Sequence, residues 1–139
     1  MTIQKILIDT NVCLDAALAR GRFATDALKL MEFSEQRRFN GVISAHSFDT
    51  IFYFLERITG RAKAYQGLKH LRTAYGAISI DQDLIDQAID AGWKDFEDAI
   101  HYYSALKAGC DAIVTRNKKD FKNSSLPVLS PGQFLEQFE

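Results

Sequence analysis

The 139-residue chain has material for one hydrophobic core and is small for two. Its 47% apolar content, with ten Phe, five Tyr and one Trp, excludes a disordered chain, and two Pro with eight Gly exclude a fibrous or linker-like one. Seventeen basic and eighteen acidic residues leave a net charge of −1, which excludes a uniformly basic nucleic-acid coat and a polyacidic tail.

Lys5-Ile6-Leu7-Ile8 is a short apolar run ending at Asp9, the pattern of a central strand buried on both faces. Val12 to Ala19 follows as a first helix. Thr25 or Asp26 caps a second, with Ala27, Leu30, Met31 and Ser34 along one face. Gly41-Val42-Ile43 reads as a second strand. Ser47 caps an aromatic-rich helix running to Arg57, and Gly60 punctuates the chain after it. The next helix turns Ala64, Leu68, Leu71 and Tyr75 toward the core. Ala77-Ile78-Ser79-Ile80 is a third strand. Asp81 caps a short helix carrying Leu84, Ile85, Ala88 and Ile89. A longer helix spans Asp95 to Ala108 and stops at Gly109. Ala112-Ile113-Val114-Thr115 is a fourth strand and Pro127-Val128-Leu129 a fifth. Ser130 and Pro131 open the terminal helix as N-cap and first helical residue. No linker or repeat interrupts this order, so residues 1–139 read as a single domain. Strands alternating with helices predict an α/β fold: a parallel β-sheet of four to five strands flanked by helices on both faces.

Other functions are excluded by what is missing. The longest apolar run, Ile51 to Leu55, is far short of the roughly 20 residues a membrane span needs, so no membrane association is expected. The start, Met1-Thr2-Ile3-Gln4-Lys5, lacks the shape of a signal peptide, which makes the cytoplasm the expected location. Cys13 and Cys110 have no Cys-x-x-Cys spacing and read as reduced, buried residues. His46, His70 and His101 have no zinc-type spacing and read as structural or surface residues.

Of the eighteen acids, twelve are Asp and six Glu. Asp suits caps, turns and hard-metal sites better than helical surfaces. Parallel α/β sheets bind ligands outside the carboxyl ends of their strands. That rule selects Asp9 after the first strand and the turn Arg116-Asn117-Lys118-Lys119-Asp120 after the fourth. Helices that start on the same rim bring Asp49 and the pair Asp95/Asp98, three residues apart on one helix face. Carboxylates gathered in one pocket repel each other, and a divalent cation relieves the conflict. Mg2+ or Mn2+ prefers oxygen ligands and keeps water in its shell. Two such ions about 4 Å apart can activate water and stabilise the leaving oxygen in phosphodiester hydrolysis. Each position also has an ordinary reading. Asp9 or Asn11 can cap the first helix, and Asn11 can instead orient a water at the metal. Asp49 can favour the helix dipole, Asp95 can be an N-cap, Glu97 a solvated helix residue and Asp120 loop surface.

Ile6-Leu7-Ile8-Asp9-Thr10-Asn11-Val12 resembles the first motif of PIN-domain proteins. Asp95-Phe96-Glu97-Asp98-Ala99, with Ala105 downstream, resembles their central acidic helix. Ile113-Val114-Thr115-Arg116-Asn117, followed by Asp120-Phe121, resembles their last acidic motif. The order and separations fit across essentially the whole chain, and by size it is similar to the small prokaryotic members that include VapC-type toxins. The resemblance implies a three-layer α/β/α fold and a metal-dependent ribonuclease using one or two Mg2+ or Mn2+ ions. It implies that Asp9, Asp98 and Asp120 are metal carboxylates, with Asp49 as the remaining catalytic acid and Asn11, Asp95, Thr115 and Asn117 in support. In toxin members a small antitoxin protein blocks the site. This chain departs from the pattern twice: Asp49 stands where Glu is common, and Asn117 where many members carry a carboxylate.

The net charge conceals blocks. Arg57, Arg61, Lys63, Lys69 and Arg72 occur with no acid between 57 and 75, whereas 81–98 holds seven acids and only Lys94 as a base. Arg116, Lys118, Lys119 and Lys122 surround Asp120. Arg57, Arg61, Lys63, Arg116, Lys118 and Lys119 are therefore the candidate RNA contacts, with salt-sensitive affinity. Tyr65, Tyr75, Tyr102 and Tyr103 either stack a base or pack in the core. The leading reading is a toxin-type endoribonuclease. The alternative is a catalytically weak or inactive PIN-like module that binds RNA or a protein partner. A phosphoacceptor domain ranks below both, because Asp9 is followed by Thr10-Asn11 and not by a further acid. A homodimer is also expected, from the frequency with which small proteins dimerise.

Overall fold

The structure is a computed structural model and describes residues 2–139. Five strands form one sheet: β1 (Lys5–Ile8), β2 (Asn40–Ser44), β3 (Gly76–Ile78), β4 (Ala112–Val114) and β5 (Val128–Leu129). All pair in parallel, in the order β3-β2-β1-β4-β5. Central β1 sets Ile6 beside Gly41 and Ala112, and Ile8 beside Val114. Alternation along β1 sends Ile6 and Ile8 to one face and Leu7 to the other.

Seven α-helices connect and cover the strands: α1 (Thr10–Ala17), α2 (Ala24–Glu35), α3 (Ala45–Thr59), α4 (Arg61–Ala74), α5 (Gln82–Ala91), α6 (Phe96–Lys107) and α7 (Pro131–Leu135). The first face packs Ile6, Ile8, Ile43 and Val114 against α1, α2, α3, α4 and α7. The second packs Leu7, Val42 and Ile113 against Tyr102 and Ala105 of α6, with α5 beyond it through Leu84 and Ala88. This is the expected three-layer α/β/α arrangement.

Several helix starts differ from the sequence reading. The first helix begins at Thr10, because Asp9 already holds the cap position. The second follows directly from a 3-10 turn, Gly21–Phe23, so neither Thr25 nor Asp26 caps it. The third begins at Ala45 straight off β2, which puts Ser47 inside the helix, where it is buried. Asp81, Asp95 and Ser130 do cap α5, α6 and α7 with their side chains. Gly60, at φ 88°, supplies the left-handed link that ends α3 and starts α4.

Chain order places the β1/β2/β3 half on one side of β1 and β4/β5 on the other. The carboxyl ends of β1 and β4 are therefore the switch point where connections diverge and a crevice opens. Asp9 and Thr115 are the first residues beyond those two strands.

Candidate active site

Asp9 is fixed by its backbone: its N–H donates to the Val114 carbonyl at 3.0 Å, continuing the β1–β4 pairing by one residue. It holds the N-cap position of α1 without capping it. Its carboxylate turns away from the helix instead. Oδ2 accepts the Thr115 hydroxyl at 2.8 Å, and Oδ1 lies 3.3 Å from His101 Nε2. Thr115 also accepts the Asn117 N–H at 3.1 Å, so one hydroxyl joins Asp9 to the loop that leads to Asp120.

Asp98 stands in the first turn of α6 and is 8% exposed. Asp95, the N-cap, accepts the Glu97 and Asp98 N–H groups, which fixes where α6 begins. Burial raises the Asp98 pKa to about 7, with the Asp95, Asp9 and Asp120 charges adding to it and His101 opposing them. The electrostatics thus joins Asp9, Asp98 and Asp120. Asp120 is exposed in the 3-10 turn Lys118–Phe121. A cavity of about 600 Å³ is lined by Asp95, Asp98, Asp120, Lys94, Lys119 and Lys122.

Other expected residues sit elsewhere. Asp49 is exposed on α3, is absent from the charges acting on Asp98, and has no side-chain hydrogen bond or ion pair among the described residues. The helix begins at Ala45 and buries Ser47, Ile51 and Leu55, which leaves position 49 outside the packed face. Asn11 lies inside α1 and caps nothing, and its Oδ1 is 3.5 Å from Arg20 Nη2. Arg116 is engaged by buried Asp15: its Nε lies 3.0 Å from Asp15 Oδ2 and its Nη2 donates to Asp15 Oδ1 at 3.4 Å. Lys118 donates to Gln133 at 3.0 Å, and Lys119 alone of that basic turn's candidates lines the cavity. Arg57 donates to the Tyr53 hydroxyl near the far end of α3, about 18 Å along its axis from Ala45, and Arg61 and Lys63 lie beyond the Gly60 bend. Of the four tyrosines considered for base stacking, Tyr75 and Tyr102 are buried, Tyr103 is half-buried and Tyr65 is exposed at 57%.

His46 and His101 are brought closer together than their spacing suggests. His101 is fully buried at the back of the site, with Nε2 3.3 Å from the Thr10 hydroxyl as well as from Asp9. His46, at the start of α3, has Nε2 3.5 Å from Glu97 Oε2, and His101 Nε2 is 3.9 Å from Glu97 Oε1. These contacts hold the Glu97 carboxyl well below the usual range. Glu97 is therefore no free surface acid. The i, i+4 spacing of Glu97 and His101 was readable as one helix face. The arrival of His46 from β2 was not.

A five-strand parallel sheet between two helical layers, with acids just beyond the carboxyl end of β1 and at the start of α6, is the class of fold the chain forms. The PIN-domain family pattern matches residues 5–119, and the chain belongs to that family. Ribonuclease VapC1 of Aquifex aeolicus is 26% identical over 146 residues, covering 99% of this chain and 98% of the relative. A toxin–antitoxin complex from Klebsiella pneumoniae superimposes with a TM-score of 0.66 at 23% identity, covering 91% of this chain and 97% of that one. VapBC-1 from nontypeable Haemophilus influenzae gives 0.69 at 11% identity, covering 93% and 99%.

Proposed function

We propose that this protein is a divalent-metal-dependent endoribonuclease, the toxin of a toxin–antitoxin pair, acting at the Asp9/Asp98/Asp120 cleft. The observation that carries the reading is the buried Asp98, held by the fold beside a cavity that Asp120 also lines and near enough to Asp9 to feel its charge. Such an arrangement costs stability unless a cation joins it. The donors are hard carboxylate oxygens on β1, α6 and the 3-10 turn, a set that fits Mg2+ or Mn2+. When bound, the ion supplies water activation and neutralises charge developing on the phosphate.

The protein's own groups do the positioning. Thr115 and His101 hold the two oxygens of Asp9 in different directions. Asp95 sets the first turn of α6 and with it Asp98. Lys94, Lys119 and Lys122 draw an RNA backbone to the cavity without reading its sequence. The name of the VapC1 relative supports the ribonuclease reading, and the Klebsiella complex supports a small antitoxin partner. No helix among the described residues is long and apolar enough to cross a membrane.

The test is cleavage of a labelled RNA by purified protein. Activity with Mg2+ or Mn2+, its loss in EDTA, and its loss in Asp9→Asn with the fold retained are expected. Undiminished cleavage by Asp9→Asn, or full activity in EDTA, overturns the assignment. Co-expression with a short neighbouring reading frame should give a complex whose RNA cleavage is suppressed.

A further inference from the structure

Beside the carboxylate cleft lies a second donor set that the nuclease reading does not use. His46, Glu97 and His101 each offer one atom, all within 4.8 Å of one another. They come from the start of α3 and one face of α6, elements held by the β2 end and the second sheet face. The closest separations are 3.5 Å from His46 Nε2 to Glu97 Oε2 and 3.9 Å from His101 Nε2 to Glu97 Oε1. Ligands at 2.0–2.1 Å around a tetrahedral Zn2+ sit about 3.4 Å apart, so a small contraction closes the set. Asp9 Oδ1 lies 3.3 Å from His101 Nε2 but outside the group of three, which leaves the fourth position to water.

Three further observations point to an occupant. His46 Nε2 is a buried atom with no hydrogen-bond partner. Its Nδ1 is 3.0 Å from Ser44 Oγ, itself 3.0 Å from Ser104 Oγ. With an ion bound at Nε2, Nδ1 would donate to Ser44, the outer hydrogen bond that metal-bound imidazoles characteristically make. Finally, an open apolar recess of about 210 Å³, formed by Ile80, Ile85, Phe96 and Ile100, adjoins His46 and Glu97 and gives an ion a path to the donor set.

We infer that His46, Glu97 and His101 form a site for a nitrogen-preferring divalent transition metal, Zn2+ or Co2+, distinct from the all-oxygen cleft. Two imidazoles select against Mg2+, which takes oxygen ligands.

Chelator-treated full-length protein is titrated with Zn2+ by calorimetry and with Co2+ by visible absorption, without RNA. One saturable equivalent is expected, with the intense d–d bands of tetrahedral Co2+. His46→Gln and Glu97→Gln should each weaken uptake at least tenfold, whereas Asp120→Asn should bind as the parent does. Glu97 is half-exposed, so its variant keeps the test open if His46→Gln fails to fold. Absent saturable uptake by the parent, or uptake kept by both Gln variants, overturns the site. So does loss confined to Asp120→Asn, which would place the ion in the carboxylate cleft. RNA cleavage with Mg2+ is a separate readout, and its failure would leave these titrations standing.

Discussion

A carboxyl that burial pushes to about 7 is a cost to the fold, and Asp98 carries that cost in the first turn of α6. Its neighbours Asp9, Asp95 and Asp120 all repel its charge. Removing the charge should therefore stabilise the metal-free protein. Asp98→Asn is expected to raise the melting temperature in EDTA by a few degrees while abolishing RNA cleavage, and a thermal scan paired with an activity assay checks both. Asp111 behaves in the opposite sense. It accepts the Gln4 and Lys5 N–H groups, each at 3.0 Å, which hold its pKa below the ordinary 3.8. The folded value lies below the unfolded one, so its contribution is present above pH 3.8 and is lost as pH falls through the folded value. Asp111→Asn should lose less stability than the parent between pH 5 and pH 2, read from urea midpoints. Asp9 and Asp98 were legible in the sequence because one ends an apolar strand and the other sits too deep in a helix to cap it. His46 and His101 were not, since 55 positions separate them and only the docking of α6 on the sheet brings them together.

At the scale of elements, the two basic segments separate. Arg57 is about 18 Å along α3 from the rim, beyond the roughly 10 Å screening length at 0.1 M salt, whereas Lys119 and Lys122 line the cavity. Replacing Arg57, Arg61 and Lys63 together by Ala should leave cleavage nearly unchanged. Lys119→Ala with Lys122→Ala should raise KM and reduce the logarithmic salt slope of RNA binding by about 1.4, two contacts' worth for a single strand. Charge density along the chain showed both blocks and could not say which meets the site, because that depends on where a helix ends. The strands were legible for a simpler reason: each is a short apolar run, fully buried in β4 and nearly so in β1, and half-exposed at the edge strands β3 and β5. Their order was not, since nothing local to Val42 or Ile113 states which side of β1 it joins. One contact marks how tightly that order is packed. A Cβ at Gly41 would fall 2.7 Å from the Tyr75 ring, so Gly41→Ala should cost about 1–3 kcal/mol in denaturant unfolding.

For the whole molecule, the candidate site joins two halves of the chain, which meet across the β1–β4 boundary and where α6 docks on β1 and β2. Asp9 belongs to the first and Asp120 to the second, in an exposed turn anchored by the buried Phe121. Asp15, 1% exposed on α1, supplies a tie. It binds Arg20 at 2.9 Å within its own half and Arg116 at 3.0 Å from the other, and the Arg116 guanidinium also lies 4.2 Å over the Phe23 ring. The sequence presented Arg116 as a phosphate contact, and the fold spends it on this clamp. A buried carboxylate between two guanidiniums is costly to break, because the charges left behind lose their partner. Asp15→Asn is expected to cost about 2 kcal/mol of stability, a figure kept low by the partial exposure of both arginines. Its sharper consequence is functional. If the clamp sets the distance from Asp9 to Asp120, the variant should weaken Mn2+ binding several-fold while folded, although Asp15 touches neither residue. Manganese calorimetry at a temperature where the variant remains folded checks this. Parent-like affinity would show that Thr115, through its bonds to Asp9 and to the Asn117 N–H, holds the loop without the arginine.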